Sequence, residues 1–264
     1  MSSKEIPWTR VWVTGAGKGI GAALAIRLCQ MGLTVYATSR TEDDLLKLRQ
    51  DAAGEAGEII PVPLDITRPE QIAERMQHWD HEGSFPDLVI LNAGTHDPFP
   101  AQAFSAERCR RLLAVNLQGS INCLEPVLKR FIAKGEGQIA VMASVAGYRG
   151  LPTAAAYGAS KAALINLCEA LCLDLQGTGV KLQLINPGFV RTPLTDKNDF
   201  AMPALLESED AAERIIRGLL QDRFEICFPK RFTYVLKLLR LLPYRLYLWL
   251  IGKSVRVPDS AKGD

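Results

Sequence analysis

Short apolar runs alternate with longer amphipathic stretches through the first two-thirds of the chain. The runs Arg10–Thr14, Thr34–Thr38, Glu58–Val62, Leu88–Leu91, Gln138–Ala143 and Lys181–Ile185 have the length and composition of strands. Between them, residues 20–31, 42–52, 69–80, 105–133 and 154–176 repeat apolar positions at helical spacing. A helix over 208–220 and a short strand over Phe224–Phe228 follow. Apolar strands separated by helices imply a parallel sheet covered on both faces. The pattern therefore predicts an α/β fold built on one doubly wound parallel β-sheet. No solenoid-length repeat and no low-complexity linker interrupts it. Residues 1–228 are expected to form a single domain, and 229–264 a C-terminal helical extension.

Composition narrows the function classes without naming one. Doubly wound sheets reach 264 residues as one domain. With 48% hydrophobic and 23% charged residues, the chain is ordinary for a soluble globular protein. A formal charge of +2 offers no general attraction to nucleic acid, and no such partner is expected. Six cysteines (Cys29, Cys109, Cys123, Cys168, Cys172, Cys227) form no CxxC pair and no zinc-type spacing with the three histidines, so no metal is expected. Residues Met1–Trp8 lack the apolar centre of a signal peptide. Unpaired cysteines then point to a reducing, cytoplasmic setting.

The candidate chemistry lies in residues 144–161. Tyr157 and Lys161 stand four apart in an Ala-rich run, which places both side chains on one helix face. A free phenol has a pKa of about 10. A cation one turn away favours the phenolate, and lowering the pKa by about three units takes about 4 kcal/mol. Lys161, helped by a second positive charge such as an oxidised nicotinamide ring, is expected to supply this and make Tyr157 a general acid–base. Ser144 ends the apolar run Ile139–Ala143, from which a strand would deliver its hydroxyl to the same cleft.

A nucleotide end is legible as well. After the first strand come Gly15, Gly17, Lys18, Gly19, Ile20 and Gly21, leading into an amphipathic helix. Glycines at a strand-to-helix turn let backbone approach a pyrophosphate, whose charge the helix N-terminus stabilises. An acidic residue closing the second strand would bind an adenosine ribose. Ser39 and Arg40 stand there instead, and with Lys18 they suit a 2′-phosphate. The pattern selects NADP(H) as the cofactor.

In order and spacing, these motifs resemble the short-chain dehydrogenase/reductase family over residues 8–228. They are Thr14-Gly-x-x-x-Gly-x-Gly21, Leu64-Asp65, Asn92-Ala93-Gly94, Asn116, Ser144, Tyr157-x-x-x-Lys161 and Pro187-Gly-x-x-x-Thr192. The resemblance implies a Rossmann-like sheet and hydride exchange between a nicotinamide and a carbonyl or alcohol substrate. It gives Ser144 and Tyr157 to the substrate oxygen, and Lys161 to the nicotinamide ribose. Asn116 would kink its helix and complete a proton relay. The resemblance places Asp65 and Ile66 at the adenine, and Asn92, Ala93 and Gly94 along its ribose. Pro187, Val190 and Thr192 would border the nicotinamide carboxamide. It also implies a homo-oligomer built through helices 105–133 and 154–176. The alternative from another class is a non-catalytic NADP-binding sensor, which has no need of a complete Ser-Tyr-Lys set.

The resemblance says little about substrate. The loop Thr192–Glu207 carries Phe200, Met202, Leu205 and Leu206, which suit either an apolar, lipid-like ligand or a lid that packs. His96, just past the Asn92-Ala93-Gly94 turn, has two readings, facing the substrate or, preferred, a surface loop residue. The tail departs from the family: between Glu225 and Asp259 stand seven of the 31 basic residues and none of the 29 acidic ones. On a helical projection Lys230, Thr233, Lys237, Arg240 and Tyr244 share one face, and Phe232, Val235, Leu239 and Leu242 the other. Pro243 should break this helix before a second apolar stretch, Leu246–Ile251. Two readings of residues 230–253 stand: peripheral contact with the inner face of a membrane, or packing on the body or a partner subunit.

Overall fold

The computed structural model describes residues 6–197 and 202–254. Among them, seven strands form one sheet: β1 (Arg10–Thr14), β2 (Thr34–Ser39), β3 (Glu58–Pro63), β4 (Leu88–Leu91), β5 (Gly137–Met142), β6 (Val180–Pro187) and β7 (Glu225–Phe228). Their order is β3-β2-β1-β4-β5-β6-β7, and every neighbouring pair is parallel. The chain runs outward from β1 to β3, then returns to place β4 on the other side of β1. That reversal opens a crevice at the carboxyl ends of β1 and β4, where doubly wound sheets bind ligands.

Alternation along each strand feeds two cores. Val11 and Val13 point to one face, where α1 (Gly19–Gln30), α2 (Glu42–Asp51) and α7 (Ser208–Leu219) bury Leu24, Leu45 and Ile215. Trp12 points to the other, against α3 (Pro69–His81), α5 (Gly119–Lys134) and α6 (Ala155–Asp174). There Trp12 meets Trp79 edge-on at 5.3 Å, and its indole N–H donates to Thr38 Oγ1 at 2.9 Å. The predicted doubly wound sheet with helices on both faces is the observed fold.

Two local departures matter for the site. The stretch 105–133, expected as a helix kinked at Asn116, is α4 (Ala106–Leu113), a π-helical turn (Ala114–Gln118) and then α5. The wide turn falls on fully buried Asn116, whose side chain leaves the helix to bond a neighbouring loop. Pro243 does separate two helices in the tail, α8 (Lys230–Arg240) and α9 (Tyr244–Ser254).

The orientation of α8 reverses part of the expectation. Thr233, assigned to the polar outer face, is fully buried, and Lys237 pairs with Glu225 on the edge strand β7. Val235, on the projected apolar face, is 56% exposed. Phe232 does pack, tilted against Phe189 at 5.7 Å. The half-buried carboxylate of Glu225 decides the matter, because it takes a cation from the helix that covers it. The outer stripe of α8 is left apolar.

Candidate active site

The glycine turn joins β1 to α1 and fits a phosphate-bearing ligand. Gly15 has φ +67°, and a Cβ on it would lie 2.7 Å from Ala93 Cα, so only glycine lets the two crevice turns meet. Thr14 ties the same turns together: its Oγ1 accepts from the N–H groups of Asn92 and Ala93 at 3.0 and 3.1 Å. Asn92 Nδ2 returns hydrogen bonds to the Thr14 and Gly15 carbonyls. Gly19 (φ +57°) abuts Thr192, where a Cβ would come within 2.9 Å of the methyl group. Ile20 follows inside the first turn of α1, which contains no acidic residue to compete with an anion. Bare backbone facing a helix N-terminus is the chemistry a pyrophosphate requires.

Around this turn the expected cofactor residues are placed unevenly. Ser39 Oγ is held within its own turn by Thr41, and it would lie 3.1 Å from a Cβ on Gly17. Arg40 is exposed and forms no ion pair among the described residues. Lys18 is not free: Asp44, on the first turn of α2, holds its ammonium at 3.1 Å. Burial pushes the Asp65 carboxyl up, but hydrogen bonds from Thr67 and the nearby Arg40 and Arg68 charges bring it below its ordinary value. Ile66 packs its side chain on Gly119 and gives its carbonyl to Asn122, so any part it takes at the adenine falls to its N–H. Val190 is buried and bridges to Leu206, and Thr195 ties the Val190 carbonyl to the Thr192 backbone. Pro187 closes β6.

The catalytic candidates converge at the other end of the crevice. Ser144 follows β5 and accepts from the Ala146 N–H at 3.1 Å. Tyr157 and Lys161 lie one turn apart on α6, with Lys161 Nζ 5.7 Å from the phenol ring centre. Burial pushes the Tyr157 phenol above its ordinary pKa, opposed by a hydrogen bond with Ser144. Burial drives the Lys161 ammonium down to about 8, while Nζ donates to the Met142 carbonyl at 2.8 Å. The expected depression of the tyrosine by Lys161 is therefore not a property of these groups alone, since desolvation dominates both. Asn116 exchanges hydrogen bonds with the Thr95 backbone and donates to Ser160 Oγ at 3.1 Å. A Cβ on Gly94 would lie 3.4 Å from Asn116 Oδ1 and 3.6 Å from Lys161 Nζ, so the bare turn keeps the space between them open.

Residues 9–202 match the sequence profile of the short chain dehydrogenase family. The chain belongs to that family. It is 36% identical to an uncharacterized oxidoreductase of Myxococcus xanthus, over 92% of this chain and 96% of the relative. It is 31% identical to a 3-oxoacyl-[acyl-carrier-protein] reductase of Thermotoga maritima, over 70% and 75% of the two chains. The solved structure of ElxO with NADP bound shares the fold, with a TM-score of 0.75 and 22% identity over 83% of this chain and 97% of that one.

Three features of this short-chain dehydrogenase were not settled by its sequence. His96, preferred as a surface loop residue, packs its ring edge-on against Tyr157 at 4.7 Å, on the side that the alternative reading gave it. Thr153, just before α6, has φ +57°, a strained value for a β-branched residue, and its carbonyl is pinned by the Phe99 N–H. Third, the tail and the edge strand β7 together grip three consecutive residues between Ser144 and Tyr157. Tyr148 donates to Glu225 at 2.5 Å, beside the Lys237 pair. Arg149 donates to the carbonyls of Leu239, Arg240 and Leu242, capping the end of α8, and its guanidinium lies 4.0 Å over the Tyr247 ring. Gly150 accepts from the Tyr247 hydroxyl at 2.7 Å. Leu206, read as either a ligand contact or part of a packing lid, packs on the sheet core with α1 and α7. Phe200 lies outside the described residues.

All six cysteines are free, and no group of metal-ligating side chains assembles among the described residues.

Proposed function

We propose that this protein is an NADP(H)-dependent oxidoreductase that interconverts a carbonyl and an alcohol on an apolar or lipid-like substrate. The observation that carries the reading is the convergence of Ser144, Tyr157 and Lys161 beside the Gly94 turn, at the end of a crevice that opens with a phosphate-fitting glycine turn. When bound, the nicotinamide would supply or take up the hydride.

The chain's own residues would do the rest. Gly15, Gly17, Gly19 and the N–H groups opening α1 would hold the phosphates. Ser144 and Tyr157 would aim two hydroxyls at the substrate oxygen, stabilising negative charge as it develops. Tyr157 would give that oxygen its proton in reduction and take it back in oxidation. Lys161 would hold the ribose and, with Asn116, border the proton path. The family is consistent with a homo-oligomer, and the free cysteines with a cytoplasmic setting. Residues 230–253 are assigned to contact with a membrane surface, developed in the next section.

NADPH oxidation with a panel of lipid-like ketones and aldehydes tests the reading. Turnover supports it. Tight NADP binding with no turnover on any carbonyl would favour the non-catalytic sensor.

The cofactor preference depends on Arg40, because Lys18 already faces Asp44. A charge-assisted contact contributes about 1.5–3 kcal/mol. Arg40→Ala should therefore weaken NADPH about tenfold or more and barely change NADH. Equal weakening of both cofactors would mean that Arg40 packs on the adenine.

The pH profile follows from the two shifts. The raised Tyr157 keeps its proton through neutral pH, as reduction requires. Lys161, down from 10.5 to about 8, loses its charge as pH rises through that value. For reduction, kcat/KM should thus fall above pH about 8, by up to tenfold per unit. A profile flat to pH about 10 would remove the charged lysine from the mechanism. Stability should move the other way. The unfolded chain binds the extra proton between the two values, so unfolding becomes harder from about pH 8 towards 10.5.

A further inference from the structure

The outer side of α8 and α9 is an unusual surface for a folded body. Tyr234, Val235 and Leu238 on α8, with Leu241 just past its end, stand outward at helical spacing, 56–79% exposed. On α9, Tyr244, Leu248 and Trp249 are 54–76% exposed. Such a run of large apolar side chains marks a docking surface.

Charge identifies the occupant. Lys230, Arg231, Arg240, Arg245 and Lys253 are all exposed on the same two helices, and no acidic residue interrupts residues 226–258. Among the described residues Lys237 is the cation of this segment that forms an ion pair, with Glu225. Lys253 lies 4.2 Å over the Trp249 ring, a contact that leaves its charge uncompensated. A second copy docked face to face would bring ten cations together with no carboxylate between them. An anionic surface accepts them all. The exposed side chains are of interfacial type: Tyr and Trp with an apolar body and a polar tip, flanked by long basic stems. No helix among the described residues is long and apolar enough to cross a membrane.

We infer that α8 and α9 dock on an anionic lipid surface, with Tyr234, Val235, Leu238, Leu241, Leu248 and Trp249 entering the headgroup boundary and the five cations that form no ion pair among the described residues meeting lipid phosphates. This deepens the membrane contact named above and rests on none of the cofactor chemistry. It also changes which residues are engaged: Lys237 and Thr233 hold the helix to the body and take no part in binding lipid. The gripped loop 148–150 connects this surface to the residues between Ser144 and Tyr157. A lipid-like substrate would thus leave the bilayer close to the site that transforms it.

Co-sedimentation of the full chain with vesicles tests the inference, without cofactor or substrate. Phosphatidylcholine vesicles containing phosphatidylglycerol should carry the protein down at low salt, and phosphatidylcholine alone should not. Salt at about 0.5 M, where the screening length falls to a few ångströms, should release it. Each cation near such a surface is worth about fivefold in affinity. Reversing Arg231, Arg245 and Lys253 to Glu should therefore weaken binding at least about a hundredfold. Leu238→Asn with Leu241→Asn, both on the exposed stripe, should weaken it independently. Neither set touches the catalytic cleft, so NADPH oxidation on a soluble carbonyl should stay at the wild-type rate and report that the variants fold. No sedimentation with anionic vesicles at low salt overturns the inference, as does binding unchanged by the charge reversal. A concentration-dependent dimer abolished by the Leu238 and Leu241 changes would assign the surface to a second copy instead. Loss of carbonyl reduction in the wild-type protein, with vesicle binding intact, would sink the enzymatic reading alone.

Discussion

Replacing Tyr157 by Phe is expected to cut turnover at least about a hundredfold while NADPH binding stays nearly normal. The change removes one oxygen from a ring whose packing against His96 does not need it. General acid–base catalysis by a positioned group contributes about 10²–10⁴-fold, and no neighbour can replace this proton. Ser144 Oγ is close but is itself oriented by the Ala146 N–H. Lys161 points its ammonium at the Met142 carbonyl. The phosphates would sit at the glycine turn, at the other end of the crevice, which is why cofactor affinity should survive. Steady-state rates with a parallel NADPH titration check both halves. Near-wild-type turnover would remove the phenol from the chemistry.

Gly21→Ala should have the largest effect on the nucleotide end. A Cβ there would lie 2.2 Å from the Gly15 carbonyl oxygen and 2.6 Å from Asn92 Nδ2. Neither can yield: Gly15 is part of the tight turn, and Asn92 already bonds the Thr14 and Gly15 carbonyls. The first turn of α1 must move away from β1, and overpacking of this kind costs about 1–3 kcal/mol. For a chain of this size that lowers Tm by about 2–10 °C. The N–H groups that open α1 move with it, so NADPH affinity should fall at least about tenfold. A thermal melt and a cofactor titration on the same preparation decide the matter. Unchanged values in both would mean that the turn is looser than its contacts imply.

The sheet was legible because its signal is local. Each buried strand is an apolar run and each glycine turn a short motif, and both landed within a few residues of their predicted places. Tyr157, Lys161 and Ser144 were legible for the same reason, their spacing and their place after a strand. What escaped depends on burial or on distant partners. The kink expected at Asn116 is there, but its π-helical form was not legible, because it follows from a buried amide that bonds Thr95, 21 residues away. Spacing predicted that Lys161 would lower the Tyr157 pKa, but spacing carries no information on desolvation, which pushes Tyr157 up and Lys161 down. The two faces of α8 were exchanged in part because a projection cannot see Glu225. Nothing around Arg149 in the sequence announced its role.

Arg149 also sets an order of events in time. Its carbonyl acceptors lie 90 to 93 residues later in the chain, and the tyrosine that bonds Gly150 lies 97 residues later. At translation rates of about 5–20 residues per second, those partners emerge roughly 5–20 seconds after the loop they hold. The nucleotide turn and the sheet around it have their sequence in hand well before then. The segment between Ser144 and Tyr157 does not. A nascent or truncated chain that stops short of Tyr247 could thus bind a dinucleotide while its substrate side stays unfinished. Completion of the segment between Ser144 and Tyr157 becomes a late checkpoint of synthesis, set by the same two helices proposed to meet lipid.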